Sequence, residues 1–279
     1  MKILITGANG MLAKEVKEKF AKGNDITATD VSELDITDEK AVFEFVNNLK
    51  PDYIINCAAF TNVDGCEENY DAAFKVNAIG PRNLAMVCEE LGSKLVNVST
   101  DYVFDGEPRE TQLREYDKVE PQSVYGTTKL QGENYVREFS SKYYIVRTAW
   151  LYGDGKNFVK TMLALAENHD ELNVVCDQVG TPTSAVELAK MIHYLEGTEN
   201  YGTFHATCEG SCSWADFAEE IFRLAGKNTK VNHITSEEFA AKAPRPSYSI
   251  LENYMLKLTS DYRFADWHDA IESYIKGMK

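Results

Sequence analysis

KILITGANGMLA, residues 2–13, decides the architecture. Ile3-Leu4-Ile5 is a short apolar run with no polar alternation. That pattern predicts a strand buried on both faces. Gly7 and Gly10 follow at once, and residues 14–20 (KEVKEKF) return to a helical period. A strand, a glycine turn and a helix start make an anion site. The glycines let backbone N–H groups approach a phosphate, and the helix N-terminus adds partial positive charge. A second strand is predicted at residues 25–29 (DITAT), ending at Asp30, 20 residues beyond Gly10. A carboxylate at that distance suits a ribose 2′-hydroxyl, so residues 2–30 predict a dinucleotide-binding βα unit.

Outward from this unit the same alternation continues. A helix is predicted over 38–49, with Thr37 or Asp38 as its cap and Pro51 beyond its end. A third strand over 52–59 runs into Cys57, Ala58 and Ala59, and small side chains at a strand's carboxyl end leave room for a ligand. Residues 61–67 read as a loop leading to a long helix over about 69–91 that contains Asn77. Strands follow at 94–98, ending in STDYVF (99–104), and at 143–148. This α/β alternation predicts a doubly wound parallel sheet of the Rossmann type.

Beyond residue 150 the pattern loosens. A helix over 157–168, an apolar stretch at 172–175 and a loop over 177–183 precede a helix at 184–196 and a strand at 202–206 that return to the sheet. Residues 213–279 read as mostly helical, broken by Pro244-Arg245-Pro246. The predicted division is a dinucleotide-binding domain of residues 1–150 plus about 184–206. The remainder, about 151–183 plus 207–279, forms a smaller, mostly helical α+β substrate domain.

The 279 residues carry a formal net charge of −15, which argues against nucleic acid as a partner. No apolar run approaches the roughly 18 residues of a membrane span. The first residues enter the strand directly, without the pattern of a signal peptide, so a cytoplasmic protein is expected. Six cysteines (57, 66, 88, 176, 208 and 212) are scattered and are expected to stay reduced. His205, Cys208 and Cys212 offer three ligand atoms, but no second pair at zinc spacing follows, and no metal is assigned.

The chemistry centres on SVYGTTK, residues 123–129. Tyr125 and Lys129 stand four residues apart, on one face of any helix that contains them. An ammonium near a phenol favours the phenolate and lowers the tyrosine pKa. Such a tyrosine exchanges a proton with a carbonyl under reduction or an alcohol under oxidation. The hydroxyls of Ser99 and Thr100, at the carboxyl end of a strand, either cap a turn or face the ligand crevice.

Gly7-x2-Gly10-x2-Ala13, Asp30, STDYVF and Tyr125-x3-Lys129 together resemble the extended short-chain dehydrogenase/reductases. Ala13 stands where that family usually has a third glycine. More narrowly, STDYVFDG (99–106), RTAWLYG (147–153), DQVGTPT (177–183) and RPSYS (245–249) are similar to the dTDP-4-dehydrorhamnose reductases. The resemblance implies NAD(P)H-dependent reduction of the C4 keto group of a dTDP-4-dehydro-6-deoxy sugar, giving dTDP-L-rhamnose. It further implies that Tyr125 is the general acid, that Lys129 tunes it and holds the nicotinamide ribose, and that Thr100 polarises the carbonyl. Gly7, Asn9, Gly10, Met11 and Leu12 would meet the pyrophosphate. Asp30, Asp35 and Ile36 would meet the adenosine half, and Ala58, Ala59 and Thr61 the bridge toward nicotinamide. Val103 and Trp150 would line the sugar pocket, and Arg245 would face the nucleotide diphosphate. Asp30 favours NADH over NADPH, because a carboxylate repels a 2′-phosphate. A monomer and a homodimer both stay open, as does a Mg2+ ion in dimerisation to which no residue is assigned. Two alternatives share the scaffold: another nucleotide-sugar epimerase, dehydratase or reductase, and a non-catalytic subunit like the β-subunit of methionine adenosyltransferase. Retention of Thr100, Tyr125 and Lys129 together speaks against the latter.

Overall fold

The computed structural model describes residues 1–240 and 243–278. Strands β1 (Lys2–Thr6), β2 (Asp25–Thr29), β3 (Tyr53–Asn56), β4 (Lys94–Thr100) and β5 (Tyr143–Thr148) lie parallel, with Gly202–His205 at one edge. Their spatial order is β2-β1-β3-β4-β5 and then the edge strand. Helices cover both faces, so each strand is apolar at consecutive positions. Ile3 and Ile5 pack with Leu12, Val16 and Phe20 of helix α1 (Met11–Phe20) and with Leu188 and Ile192 of the helix Ala185–Glu196. Leu4 points the opposite way, among Val42 and Val46 of α2 (Glu39–Leu49) and Leu84. The two-residue side-chain period of the strand sorts these residues between the layers.

From β1 the chain moves outward to β2, then crosses back to β3 on the other side of β1. The crevice beyond the carboxyl ends of β1 and β3 is therefore the switch point where such sheets bind ligands. Gly7 sits there with φ +69°, and a Cβ on it would lie 2.7 Å from the Ala58 nitrogen. Only glycine fits both the backbone and the space.

The expected helix over 69–91 is broken, and the loop before it is partly helical. Val63–Glu68 is helical, the chain kinks at Asn69, Tyr70–Phe74 resumes, a π-turn spans Lys75–Ile79, and a helix runs over Gly80–Leu91. Pro81 explains the π-turn, since it donates no N–H and its ring crowds the carbonyl four residues back, at Asn77. Asn77 Nδ2 donates to Phe60 O (3.1 Å) and Thr128 Oγ1 (3.1 Å), and Oδ1 accepts from Phe60 N (2.8 Å). The break thus fastens the loop after β3 to the helix carrying Tyr125.

A second cluster packs Tyr152, from the short strand Leu151–Tyr152, with Val159, Phe217, Ile221, Trp267 and Ile271 from the helices Phe158–Leu165, Trp214–Ala225 and Trp267–Met278. Residues 213–279 are less helical than expected: Lys230–Ile234 is a strand, parallel to Glu171–Val175. Its sequence, KVNHI, has too few apolar residues to announce a strand without that neighbour. Leu256 and Phe264 pack in the cluster of the large sheet, so the chain returns there once more than the predicted boundaries allow.

The helix Val124–Phe139 is held on the sheet by a buried ion pair. Glu133 is fully buried and Arg147 is 2 % exposed. Arg147 Nε and Nη2 donate to the two Glu133 oxygens at 2.9 and 2.8 Å, Arg137 Nη2 adds 2.7 Å, and Ser99 Oγ donates at 2.5 Å. Burial alone would raise the Glu133 pKa, but the two guanidiniums and the Ser99 hydroxyl bring it down to about 2. A depressed carboxyl contributes stability above its unfolded pKa of about 4.3. That stability is lost as pH falls toward the folded value. Glu133→Gln strands the Arg147 charge in the core, and its expected cost is about 3–5 kcal/mol in chemical denaturation at neutral pH. An unchanged denaturation midpoint would show the pair to be dispensable.

Candidate active site

A cleft of about 590 Å³ opens over the carboxyl ends of the strands. At one end lie Gly7, Gly10, Met11 and Leu12. Gly10 caps α1 without a side-chain hydrogen bond, which leaves first-turn N–H groups for an anion. Asp30 lines the cleft; its Oδ2 accepts from Asn9 N at 3.0 Å and its Oδ1 from Val31 N at 2.8 Å. The carboxylate is thereby fixed at the end of β2. Asn9 itself does not line the cleft, and its backbone serves to hold Asp30. Asp35 and Ile36 form the next wall, with Asp35 Oδ1 accepting from Thr37 N at 2.9 Å. Ala58, Ala59 and Thr61 line the opposite side. They are placed by Asn77 and by a buried row in which Thr6 Oγ1 donates to Asn56 Oδ1 and Asn56 Nδ2 to Asn97 Oδ1 (2.7 and 2.8 Å).

Thr100, Tyr125 and Lys129 meet at the other end of the same cleft. Ser123 caps the Tyr125 helix by accepting from Gly126 N at 3.1 Å. A Cβ on Gly126 would sit 2.1 Å from Tyr102 O, so glycine lets the helix start directly against the turn after β4. Thr100 Oγ1 donates to Asp101 Oδ1 at 2.8 Å and accepts from Tyr102 N at 3.3 Å. The electrostatics differ from the reading of the Tyr-x3-Lys spacing. Burial pushes the Tyr125 phenol up, the Thr100 hydroxyl opposing and Asp101 reinforcing the rise. Lys129 does not lower it here, because Lys129 Nζ turns to Val98 O at 2.6 Å. Burial holds the ammonium down to about 8, against the pull of Glu133 and Cys57.

The sugar-side expectations divide. Trp150 lines the cleft, in a left-handed backbone conformation (φ +48°) that is costly for an aromatic residue. Its indole stacks on Trp214 (centroids 3.5 Å apart, 7° between planes), and a Cβ on Gly180 would meet it at 2.6 Å. Val103 does not line the cleft. It is fully buried with Phe104, Leu113 and Leu251, because the 3-10 turn Asp101–Val103 directs it into the core. Arg245 also lies outside the cleft. It lines a neighbouring cavity of about 220 Å³ that shares Tyr102 as a wall, and its Nη2 donates to Asp64 Oδ2 at 3.0 Å.

His205 is fully buried, and its Nδ1 lies 3.1 and 3.0 Å from the carbonyls of Leu113 and Glu252. With two acceptors before it, Nδ1 carries the hydrogen. Burial and Arg147 lower the pKa of this histidine to about 3. All six cysteines are free, and among the described residues no group of three or more His, Cys, Asp or Glu could hold a metal ion. Sequence reasoning gave no role to Tyr102, Asp101 or Trp214 at this site. Asp101 and Tyr102 were visible inside STDYVF, whereas nothing in the sequence links Trp214 to Trp150.

The whole chain, residues 1–279, matches the family model described as the RmlD substrate binding domain. The dTDP-4-dehydrorhamnose reductase of Mycolicibacterium smegmatis is 39% identical over 97% of this chain and 84% of its own length. A solved dTDP-4-dehydrorhamnose reductase of Clostridium acetobutylicum is 56% identical, with a TM-score of 0.97 over 100% of this chain and 99% of that one. The Bacillus anthracis enzyme, solved in complex with NADP, is 42% identical, with a TM-score of 0.97 over 99% of both chains. The glycine turn after β1, the carboxylate after β2, and the Thr-Tyr-Lys corner thus lie in a chain that belongs to the dTDP-4-dehydrorhamnose reductase family.

Proposed function

We propose that this protein reduces the C4 keto group of dTDP-4-dehydro-6-deoxy-L-mannose (4-dehydro-β-L-rhamnose) with NAD(P)H, giving dTDP-L-rhamnose. The observation that carries this reading is one continuous cleft joining the Gly7–Leu12 turn to Thr100, Tyr125 and Lys129. The residues present fit a dinucleotide. A Cβ on Gly7 would collide with Ala58 N at 2.7 Å, so glycine keeps the turn close against the end of β3, and α1 keeps its first N–H groups unclaimed by a side chain. Gly7, Gly10, Met11 and Leu12 would hold the pyrophosphate, Asp30, Asp35 and Ile36 the adenosine half, and Ala58, Ala59, Thr61 and Lys129 the nicotinamide half. When bound, the cofactor supplies the hydride that reaches C4.

The chain supplies the proton and the orientation. Tyr125, its pKa raised by burial, is a neutral phenol at working pH and gives its hydrogen to the C4 oxygen as negative charge develops there. The Thr100 hydroxyl polarises the same carbonyl. Lys129, cationic below about pH 8 and already donating to Val98 O, holds the nicotinamide ribose beside the phenol. Trp150 presents an apolar face to the deoxy sugar, and Arg245 takes the diphosphate beyond Tyr102, where a guanidinium fork suits an anion. NADH is the preferred cofactor, since the fixed Asp30 carboxylate would face a 2′-phosphate. The protein acts on a dTDP-sugar in the cytoplasm, and no helix among its described residues is long and apolar enough to cross a membrane.

The direct test follows NADH and NADPH absorbance in parallel with enzymatically generated dTDP-4-dehydro-L-rhamnose. Oxidation with dTDP-rhamnose as product is expected, whereas dinucleotide binding without oxidation would reject the substrate. Tyr125→Phe is expected to abolish turnover, a loss of at least ~100-fold, while NADH affinity by fluorescence titration stays nearly unchanged. Equal turnover in this variant would remove Tyr125 as the acid. Asp30→Ser is expected to shift the kcat/KM ratio toward NADPH by about tenfold. An unmoved ratio would assign the preference elsewhere.

A further inference from the structure

The hydrogen of Thr100 is already committed. A threonine hydroxyl has one hydrogen and two lone pairs. Here the hydrogen goes to Asp101 Oδ1 at 2.8 Å, while one lone pair takes the Tyr102 N–H at 3.3 Å. In that arrangement Thr100 offers a substrate carbonyl only a lone pair, which repels it. The polarising role needs the opposite orientation. Asp101 is 4 % exposed and Thr100 5 %, so water does not readily replace either partner. Asp101 Oδ2 is buried without a hydrogen-bond partner, an unusual state for an ionised carboxylate.

We propose that Asp101 is a positioning residue that sets the direction of the Thr100 hydroxyl, and that its neutral acid is the productive form. As a carboxylate, Asp101 accepts the Thr100 hydrogen. As a carboxylic acid it donates its own hydrogen to the second lone pair of Thr100 Oγ1, and the Thr100 hydrogen turns into the cleft toward the C4 oxygen. The number of protons in the pair rises by one, taken from solvent before the substrate closes the cleft. Nothing is oxidised or reduced in this step. The inference rests on the reading of Thr100 as the group facing the substrate carbonyl.

The surroundings favour the neutral acid. Burial pushes the Asp101 carboxyl up to about 6, with the Thr100 and Ser249 hydroxyls and nearby backbone N–H groups opposing. The titratable groups facing this corner come from every element around it. Tyr102 follows on the same turn and Tyr125 on the facing helix, while Cys66 comes from the helix Val63–Glu68. Burial raises all three, Tyr102 to about 12 and Cys66 to about 11, so none changes charge near pH 6. Arg245, on the far side of Tyr102, is paired with Asp64 at 3.0 Å. Lys129, directed at Val98 O, titrates nearer 8. A change near pH 6 therefore belongs to Asp101.

The sign follows. The productive acid form prevails below about pH 6 and is lost as pH rises through that value. With saturating NADH, wild-type kcat/KM for the 4-keto sugar is expected to fall roughly tenfold per pH unit above about 6, until a residual rate is reached. Asp101→Asn keeps a donor toward Thr100 at every pH, so this limb is expected to flatten while activity above pH 7 rises relative to wild type. An active Asp101→Asn enzyme with the wild-type limb would overturn the proposal. A second measurement covers an inactive variant. Infrared difference spectra of wild type against Asp101→Asn isolate the carboxylic C=O band of Asp101 and its midpoint with pH. Thr100→Val removes the hydrogen bond that favours the carboxylate, and is expected to move that midpoint upward. A midpoint that stays in place, or a band absent at pH 5, would equally overturn it. If wild type fails to reduce the sugar at all, the substrate reading falls, while the infrared midpoints still decide whether Asp101 controls Thr100.

Discussion

The Glu133–Arg147 pair is the constraint on which the geometry of the cleft depends. It joins the middle of the Tyr125 helix to β5, and Ser99 brings β4 into the same knot. Removing two charges from water costs several kcal/mol per ion, and the mutual attraction offsets that only when the remaining lone pairs are used. Here both carboxylate oxygens are filled, by Arg147, Arg137 and Ser99. The gain is positional. Lys129 lies one helical turn before Glu133 and Tyr125 two turns before it, while Thr100 is the residue after Ser99. A knot that cannot slide therefore fixes Thr100, Tyr125 and Lys129 relative to one another.

Around that frame the protein accepts local strain and breaks along the walls of the cleft. Asn77 sits in the π-turn made necessary by Pro81, and from there its side chain reaches two elements a straight helix would serve less well. Trp150 adopts a left-handed backbone held by the stacked indole of Trp214 and by a gap at Gly180. Strain of this kind persists only where the surroundings over-determine it. Both features border the cleft, and both aim a side chain that the default conformation would send elsewhere.

Legibility in the sequence followed the range of the interactions. The sheet and its glycine turn were readable because burial on both faces writes itself into consecutive residues such as Ile3-Leu4-Ile5. Tyr125 and Lys129 were readable because one helix sets their relation. Lys230–Ile234 was not, since its strand state depends on Glu171–Val175, some sixty residues away. The direction of the Tyr125 pKa was misread for a similar reason. The four-residue spacing places Lys129 on the correct face, but burial and the Val98 carbonyl decide what the two groups do. Val103 and Arg245 were assigned by likeness to a family, and a 3-10 turn and Asp64 of the helix Val63–Glu68 hold their side chains outside the cleft.

The winding of the chain between its two clusters has a consequence for folding. Residues 1–148 build most of the sheet, 158–175 enter the second cluster, 185–205 return, 214–234 leave again, and Leu256 and Phe264 come back before the last helix departs. Neither lobe corresponds to a continuous length of gene. The second cannot be completed until the C-terminal helix has left the ribosome, and much of its contact set joins residues far apart in sequence. Such topologies close their loops late and slowly. The parallel sheet, with its edge waiting for Gly202–His205, is therefore the part of the nascent chain with the longest exposure to its neighbours.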